Sequence, residues 1–214
     1  MDKEFSRLLF ITHQTEEYSY LDSVKLALKG GCRFIQLRMK EADEDEVKQV
    51  ALSAKELCRS VGAVLTIDDR VELCKELALD GVHLGKEDMS PQIARQVLGS
   101  QVWIGGTANT LEDIIELQKQ GVDYIGLGPF RYTTTKKKLS PILGLKGYKD
   151  IIDCSVTHQL DLPIYAIGGI QLEDVSSLME LGLWGISLSS TILNADQPIQ
   201  MTAQILEQIK NNTL

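Results

Sequence analysis

Phe34-Ile35-Gln36-Leu37-Arg38-Met39-Lys40 decides how the chain is read. The stretch opens as an apolar run and ends with polar side chains at alternate positions. Alternate residues of a strand share a face, so Gln36, Arg38 and Lys40 point the same way. The same plan recurs along the chain: a short apolar strand, a polar residue or glycine, then a helix. Strands are predicted over residues 8–12, 34–38, 63–68, 81–85, 102–106, 124–128, 164–168 and 185–189. Between and after them, apolar residues at helical spacing predict helices over 21–28, 43–60, 71–79, 90–98, 110–120, 146–153, 172–181 and 198–210. Ser90-Pro91 reads as a helix cap and first helical residue. Thr110 with Asp113 reads as a capping pair, and Gly30-Gly31, Gly121 and Gly182 read as helix stops.

Eight strands alternating with eight helices predict an α/β fold, a (β/α)8 or TIM barrel, because parallel strands need crossover helices. The alternative is an open doubly wound sheet, but no GxGxxG follows the first strand where that fold carries its dinucleotide fingerprint. The 214 residues suit one core, and no Pro- or Ser-rich linker breaks the rhythm, so a single domain over 1–214 is expected. The one irregular stretch is 130–143. It is too long for a plain strand-to-helix connection and is therefore a candidate functional loop.

Composition narrows the class. Hydrophobic residues at 43% and charged ones at 24% are ordinary for a globular protein. No run approaches the ~18 apolar residues that span a bilayer, and the charged start, Met1 to Arg7, lacks a signal-peptide core. A cytoplasmic protein with no membrane partner is expected. The net charge of -8 argues against nucleic acid as a partner. Cys32, Cys58, Cys74 and Cys154 form no CxxC pair, which excludes an ordinary zinc site; buried free thiols in a reducing compartment are expected.

Catalytic residues of such a barrel sit at the C-terminal strand ends, and the polar residues here fall there. Arg38 and Lys40 suit a diphosphate clamp, one bidentate and one a point charge. Asp68 and Asp69 end the third strand and Asp88 follows the fourth. Acids clustered near phosphates suit Mg²⁺, which bridges phosphate oxygens and keeps several waters. Thr107 follows the fifth strand. In the irregular loop Thr133, Thr135 and Lys136 suit an anion, while Lys137 and Lys138 read as solvated. Gly168-Gly169 and Ser189-Ser190 match the phosphate site made by the loops after strands seven and eight. His83 reads as a hydrogen-bonded filler of the interior, His13 stands at the functional end, and His158 reads as uninvolved. No nucleophile–base arrangement is legible. Two phosphorylated small-molecule substrates, one of them a diphosphate, explain two anion sites.

These motifs, in this order, resemble the thiamine phosphate synthase family from Phe10 to about Leu193. The resemblance rests on Gln36-Leu37-Arg38-Met39-Lys40, Asp68-Asp69-Arg70, Gly81-Val82-His83-Leu84-Gly85-Lys86-Glu87-Asp88, Thr133-Thr134-Thr135-Lys136, Ala166-Ile167-Gly168-Gly169-Ile170 and Ser189-Ser190. It implies that an aminopyrimidine methyl diphosphate loses pyrophosphate while a thiazole phosphate nitrogen attacks the methylene. It implies Mg²⁺ on Asp69 and Asp88. The diphosphate falls to Gln36, Arg38, Lys40, Thr107 and Lys136, with Asp68 alongside. The thiazole phosphate falls to Thr133, Thr135, Gly169, Ser189 and Ser190. Arg38, Lys40 and Lys136 neutralise the leaving group. Three positions depart from the family: Asp68 where an amide is usual, Thr107 where serine is usual, and Asn109 where relatives often carry His. A thiazole tautomerase or a regulatory relative is the alternative, and an unrelated phosphate-binding barrel a third. A homo-oligomer is compatible with all three.

Overall fold

The computed structural model describes residues 6–132, 140–157 and 160–212. Eight parallel strands close into a barrel in sequence order: β1 (Leu8–Ile11), β2 (Phe34–Leu37), β3 (Val64–Asp68), β4 (Gly81–Leu84), β5 (Trp103–Ala108), β6 (Tyr124–Leu127), β7 (Ile164–Ile167) and β8 (Gly185–Leu188). β8 returns to pair with β1, with Leu9 beside Ser187, so no sheet edge is left open. The helices are α1 (Tyr20–Lys29), α2 (Glu44–Ser60), α3 (Val71–Glu76), α4 (Pro91–Leu98), α5 (Leu111–Lys119), α6 (Gly144–Thr157), α7 (Val175–Glu180), α8 (Ser190–Leu193) and α9 (Pro198–Asn211). No helix among the described residues is long and apolar enough to cross a membrane.

The apolar faces of the helices pack on the outer strand faces and form the larger core. Inside the barrel a second cluster fills the N-terminal half: Leu9, Ile11, Phe34, Tyr124 and Tyr165. The Phe34 ring meets Trp103, Tyr124 and Tyr165 edge-on, with centroids 5.7, 5.3 and 5.9 Å away, the geometry ring quadrupoles favour. The hydroxyl of Tyr165 donates to the carbonyl of Ser6 at 2.6 Å. This plug closes one end of the barrel and leaves polar chemistry to the other.

Five local expectations change. Gly105-Gly106 ended the predicted fifth strand, yet β5 runs on through Thr107 to Ala108. These glycines supply space rather than a turn. A Cβ on Gly105 would stand 2.1 Å from Tyr124 Cζ and 2.5 Å from His83 Nδ1, and one on Gly106 2.6 Å from Leu117 Cδ2. α3 stops at Glu76, because Ala78 turns left-handed with φ 47° and the chain bends into β4. A short helix, α8, follows β8 where loop was expected, and a 3-10 turn over Leu172–Asp174 precedes α7. Cys32, Cys58 and Cys74 are buried as expected, but Cys154 is exposed. Burial pushes the Cys32 thiol up to about 11 and those of Cys58 and Cys74 up to about 12, which keeps them unreactive.

Candidate active site

The C-terminal strand ends surround one cavity of about 920 Å³, its open mouth included. Its first wall is β2 and β3. Gln36 Nε2 donates to Asp68 Oδ1 at 2.9 Å. Asp68 Oδ2 lies 3.0 Å from Lys40 Nζ and 3.6 Å from Arg38 Nε. Lys40 also meets Asp69 Oδ2 at 2.6 Å. Burial alone lowers the Lys40 pKa, but the carboxylates of Asp68 and Asp69 outweigh it and hold the ammonium above its ordinary value. Thr12 fixes the base of this wall: its hydroxyl accepts the backbone N–H of Arg38 at 2.9 Å. Two cations and two acids thus neutralise one another at the strand ends, and an anionic ligand can exchange for the acids.

Asp69 has φ 60°, a left-handed conformation that is uncommon without glycine and gathers at functional sites. Its backbone N–H donates to the carbonyl of His83 at 2.9 Å, which turns the chain out of the barrel wall. Asp88 folds back on its own loop, its Oδ2 accepting the N–H of Gly85 at 2.7 Å. Asp88 Oδ1 makes no hydrogen bond or ion pair among the described residues.

The opposite wall is β7 and β8. Gly168 and Gly169 have φ 95° and 69°. A Cβ on Gly169 would meet the Tyr132 carbonyl at 2.7 Å, so both the conformation and the close approach require glycine. The N–H groups of Gly169 and Ile170 have no hydrogen-bond partner among the described residues. Ser189 and Ser190 lead into α8, the short extra helix that completes the phosphate site of many barrels. Between the walls, His83 places Nε2 3.0 Å from Thr107 Oγ1 and Nδ1 3.2 Å from the Tyr124 hydroxyl. Asn109 donates to the carbonyl of Gly128, ahead of the cis Gly128–Pro129 bond.

Gln36 Oε1, Ser187 Oγ and Ser189 Oγ are buried with no hydrogen-bond partner among the described residues, and all three residues line this cavity, whereas Asp68 Oδ2 is engaged by Lys40. Unsatisfied buried polar atoms are rare and concentrate where a ligand binds. Of the predicted residues, Gln36, Arg38, Asp68, Thr107, Gly168, Gly169, Ser189 and Ser190 line the cavity. Lys40 and Asp69 stand beside it, joined to Asp68, and Asp88 lies past β4 outside the lining. His83 lines the cavity as a hydrogen-bonded filler, as expected, while half-buried His13 does not line it. Thr133, Thr135, Lys136, Lys137, Lys138 and His158 lie outside the described residues. The sequence did not point to Thr12, Ser187, Arg131 or Asp174. Thr12 and Ser187 fall inside the predicted strands, where no local signal marks them, and Arg131 and Asp174 are too far apart in the chain for any spacing rule.

Fold and site together define a barrel enzyme with two polar walls around one cavity at the C-terminal strand ends. A family model described as thiamine monophosphate synthase matches residues 8–192. Thiamine-phosphate synthase of Bacteroides thetaiotaomicron is 54% identical over 93% of this chain and 95% of that protein. That of Phocaeicola vulgatus is 54% identical over 96% and 99%. The solved thiamine phosphate pyrophosphorylase of Pyrococcus furiosus superposes with a TM-score of 0.84 at 29% identity, covering 96% of both chains. The chain belongs to the thiamine monophosphate synthase family. The function this supports is thiamine-phosphate synthesis, a transferase reaction, and the tautomerase or regulatory alternative is not favoured.

Proposed function

We propose that this transferase is Mg²⁺-dependent, releases pyrophosphate, and divides its substrates between the two walls. The aminopyrimidine diphosphate binds at Gln36, Arg38, Lys40, Asp68 and Thr107, with Lys136. The thiazole phosphate binds at Gly169, Ser189 and Ser190, with Thr133 and Thr135. The observation that carries this reading is one cavity with Arg38 on one wall, Lys40 beside it, and on the other wall backbone N–H groups that have no partner among the described residues.

The metal assignment rests on the donor set. Asp69 and Asp88 follow adjacent strands, Asp69 already holds a cation in Lys40, and Asp88 keeps one oxygen unengaged. Mg²⁺ commonly takes one or two carboxylates and completes its shell with water and substrate phosphate. No group of three or more His, Cys, Asp or Glu among the described residues could hold a metal unaided, so a substrate-completed site is the one that fits. When bound, the ion supplies charge neutralisation to the diphosphate.

The chain's own residues do the rest. Arg38 and Lys40 offset charge that grows on the diphosphate as the methylene C–O bond breaks and its electron pair leaves with pyrophosphate. Thr107, held by His83, offers a hydroxyl to the same group. The glycine and serine wall holds the thiazole phosphate so that the ring nitrogen faces the methylene carbon and forms the new C–N bond. Positioning and electrostatics suffice, with no protein nucleophile. The test mixes both precursors with and without Mg²⁺ and measures thiamine phosphate and pyrophosphate. Both products should appear in equal amounts only with the metal, and Asp69→Ala or Asp88→Ala should cripple turnover. Undiminished activity in excess chelator would overturn the metal assignment, and absence of both products would overturn the reading.

A further inference from the structure

We infer that Arg131 is the positioning residue of the phosphate-binding wall, an inference that rests on the two-substrate reading above. Arg131 belongs to the loop after β6 but acts on the loop after β7. Its backbone N–H donates to the carbonyl of Gly168 at 2.9 Å. Its Nη1 donates to the carbonyl of Gly169 at 2.7 Å. The same guanidinium grips Asp174 with both forks, Nη1 to Oδ2 at 2.7 Å and Nη2 to Oδ1 at 2.9 Å. The Phe130 ring lies under it, 5.0 Å from the guanidinium carbon.

Peptide geometry turns these contacts into a function. In a trans peptide the carbonyl and the following N–H point in opposite directions. Holding the Gly168 and Gly169 carbonyls on Arg131 therefore aims the N–H groups of Gly169 and Ile170 away from it. Both N–H groups lack a partner among the described residues, and both residues line the cavity. Thr191 pulls the next carbonyl, that of Ile170, to its hydroxyl at 2.5 Å. Three successive carbonyls are thus tied to protein donors. With φ of 95° and 69°, Gly168 and Gly169 have no conformational preference of their own that would keep this orientation, so an external tie is needed.

Asp174 is anchored independently. Its Oδ2 also accepts the N–H of Gln171 at 2.8 Å, and its side chain is only 13% exposed. The bidentate pair therefore fixes the guanidinium against a rigid point of the β7 loop, and Arg131 transmits that rigidity to the glycines. Lysine cannot reproduce the fork.

The experiment is steady-state kinetics of wild type, Arg131→Gln, Arg131→Lys and Asp174→Asn, varying each substrate separately, with thermal melting of each protein. Arg131→Gln should raise KM for the thiazole phosphate about tenfold, some 1.4 kcal/mol of binding, and change KM for the diphosphate less than twofold. Asp174→Asn should give the same selectivity to a smaller extent, and Arg131→Lys should recover part of the loss. An unchanged thiazole phosphate KM overturns the inference. So does an equal rise in both KM values, or a fall in kcat alone that tracks melting temperature, since general loosening would produce either. A wild type inactive with these substrates would instead overturn the reading beneath it, and binding of inorganic phosphate to wild type and Arg131→Gln would then decide the inference: equal affinity overturns it, weaker binding by the variant supports it.

Discussion

Asp68 shows how one residue can both suit and oppose its site. Beside the proposed diphosphate, a lone carboxylate should be repulsive. Here it accepts from Gln36 and faces Lys40 and Arg38, so its charge is balanced by two cations. Asp68→Asn keeps an acceptor for Gln36 and should leave measurable activity. Asp68→Ala removes the acceptor and should lose at least tenfold more in kcat/KM, about 1.4 kcal/mol, in line with the cost of orphaning a buried partner. Kinetics against the diphosphate check this; if Asn is as damaging as Ala, the charge itself is needed and Asp68 belongs with the metal ligands. Thr107 makes a second case. Thr107→Val keeps its shape but removes the hydroxyl facing His83, and kcat/KM for the diphosphate should fall about tenfold, while Thr107→Ser should retain most of it.

At the scale of elements, the start of α5 connects fold and site. Thr110 accepts the N–H of Asp113, and Asp113 Oδ2 accepts those of Asn109 and Thr110 and pairs with Lys86 at 2.6 Å. This box holds Asn109 at the cavity. Thr110→Ala should cost about 1 kcal/mol and lower the melting temperature by about 2–4 °C. Burial alone raises the Asp113 pKa, but Lys86 and the backbone N–H groups outweigh it, so the folded value lies below 3.8. A depressed carboxyl contributes stability that is full above its unfolded value. That contribution is lost as pH falls from 3.8 through the lower folded value. Wild type should therefore lose stability faster than Asp113→Asn on acidification through that window. Parallel denaturation curves of the two proteins across it would show that Asp113 contributes no such linkage.

At the scale of the molecule, the barrel interior separates structure from chemistry. Its aromatic plug is centred on Phe34, fully buried among three rings. Phe34→Ala should cost about 3–5 kcal/mol. Gly105→Ala should also destabilise, by about 1–3 kcal/mol or more through overpacking, because its Cβ would collide with Tyr124 and His83. Urea unfolding checks both. A Gly105→Ala protein as stable as wild type would show that His83 and Tyr124 can move aside without cost.

The sequence by itself determined the alternation of strand and helix, and with it the closed barrel. Period-2 and helical patterning and caps such as Ser90-Pro91 and Thr110 are local signals, and each formed where expected. It also placed the cations, acids, glycines and serines at strand ends, because parallel strands bring those ends together whatever the loops do. Only the tertiary structure decided what these residues do to one another. Lys40 chose Asp68 and Asp69, Arg38 took its backbone support from Thr12, and the glycines of β5 proved to be room for His83 and Tyr124 on one face and Leu117 on the other. Arg131 found Asp174 across two loops. Such pairings depend on barrel closure and on the direction of each side chain, and neither is written in local spacing.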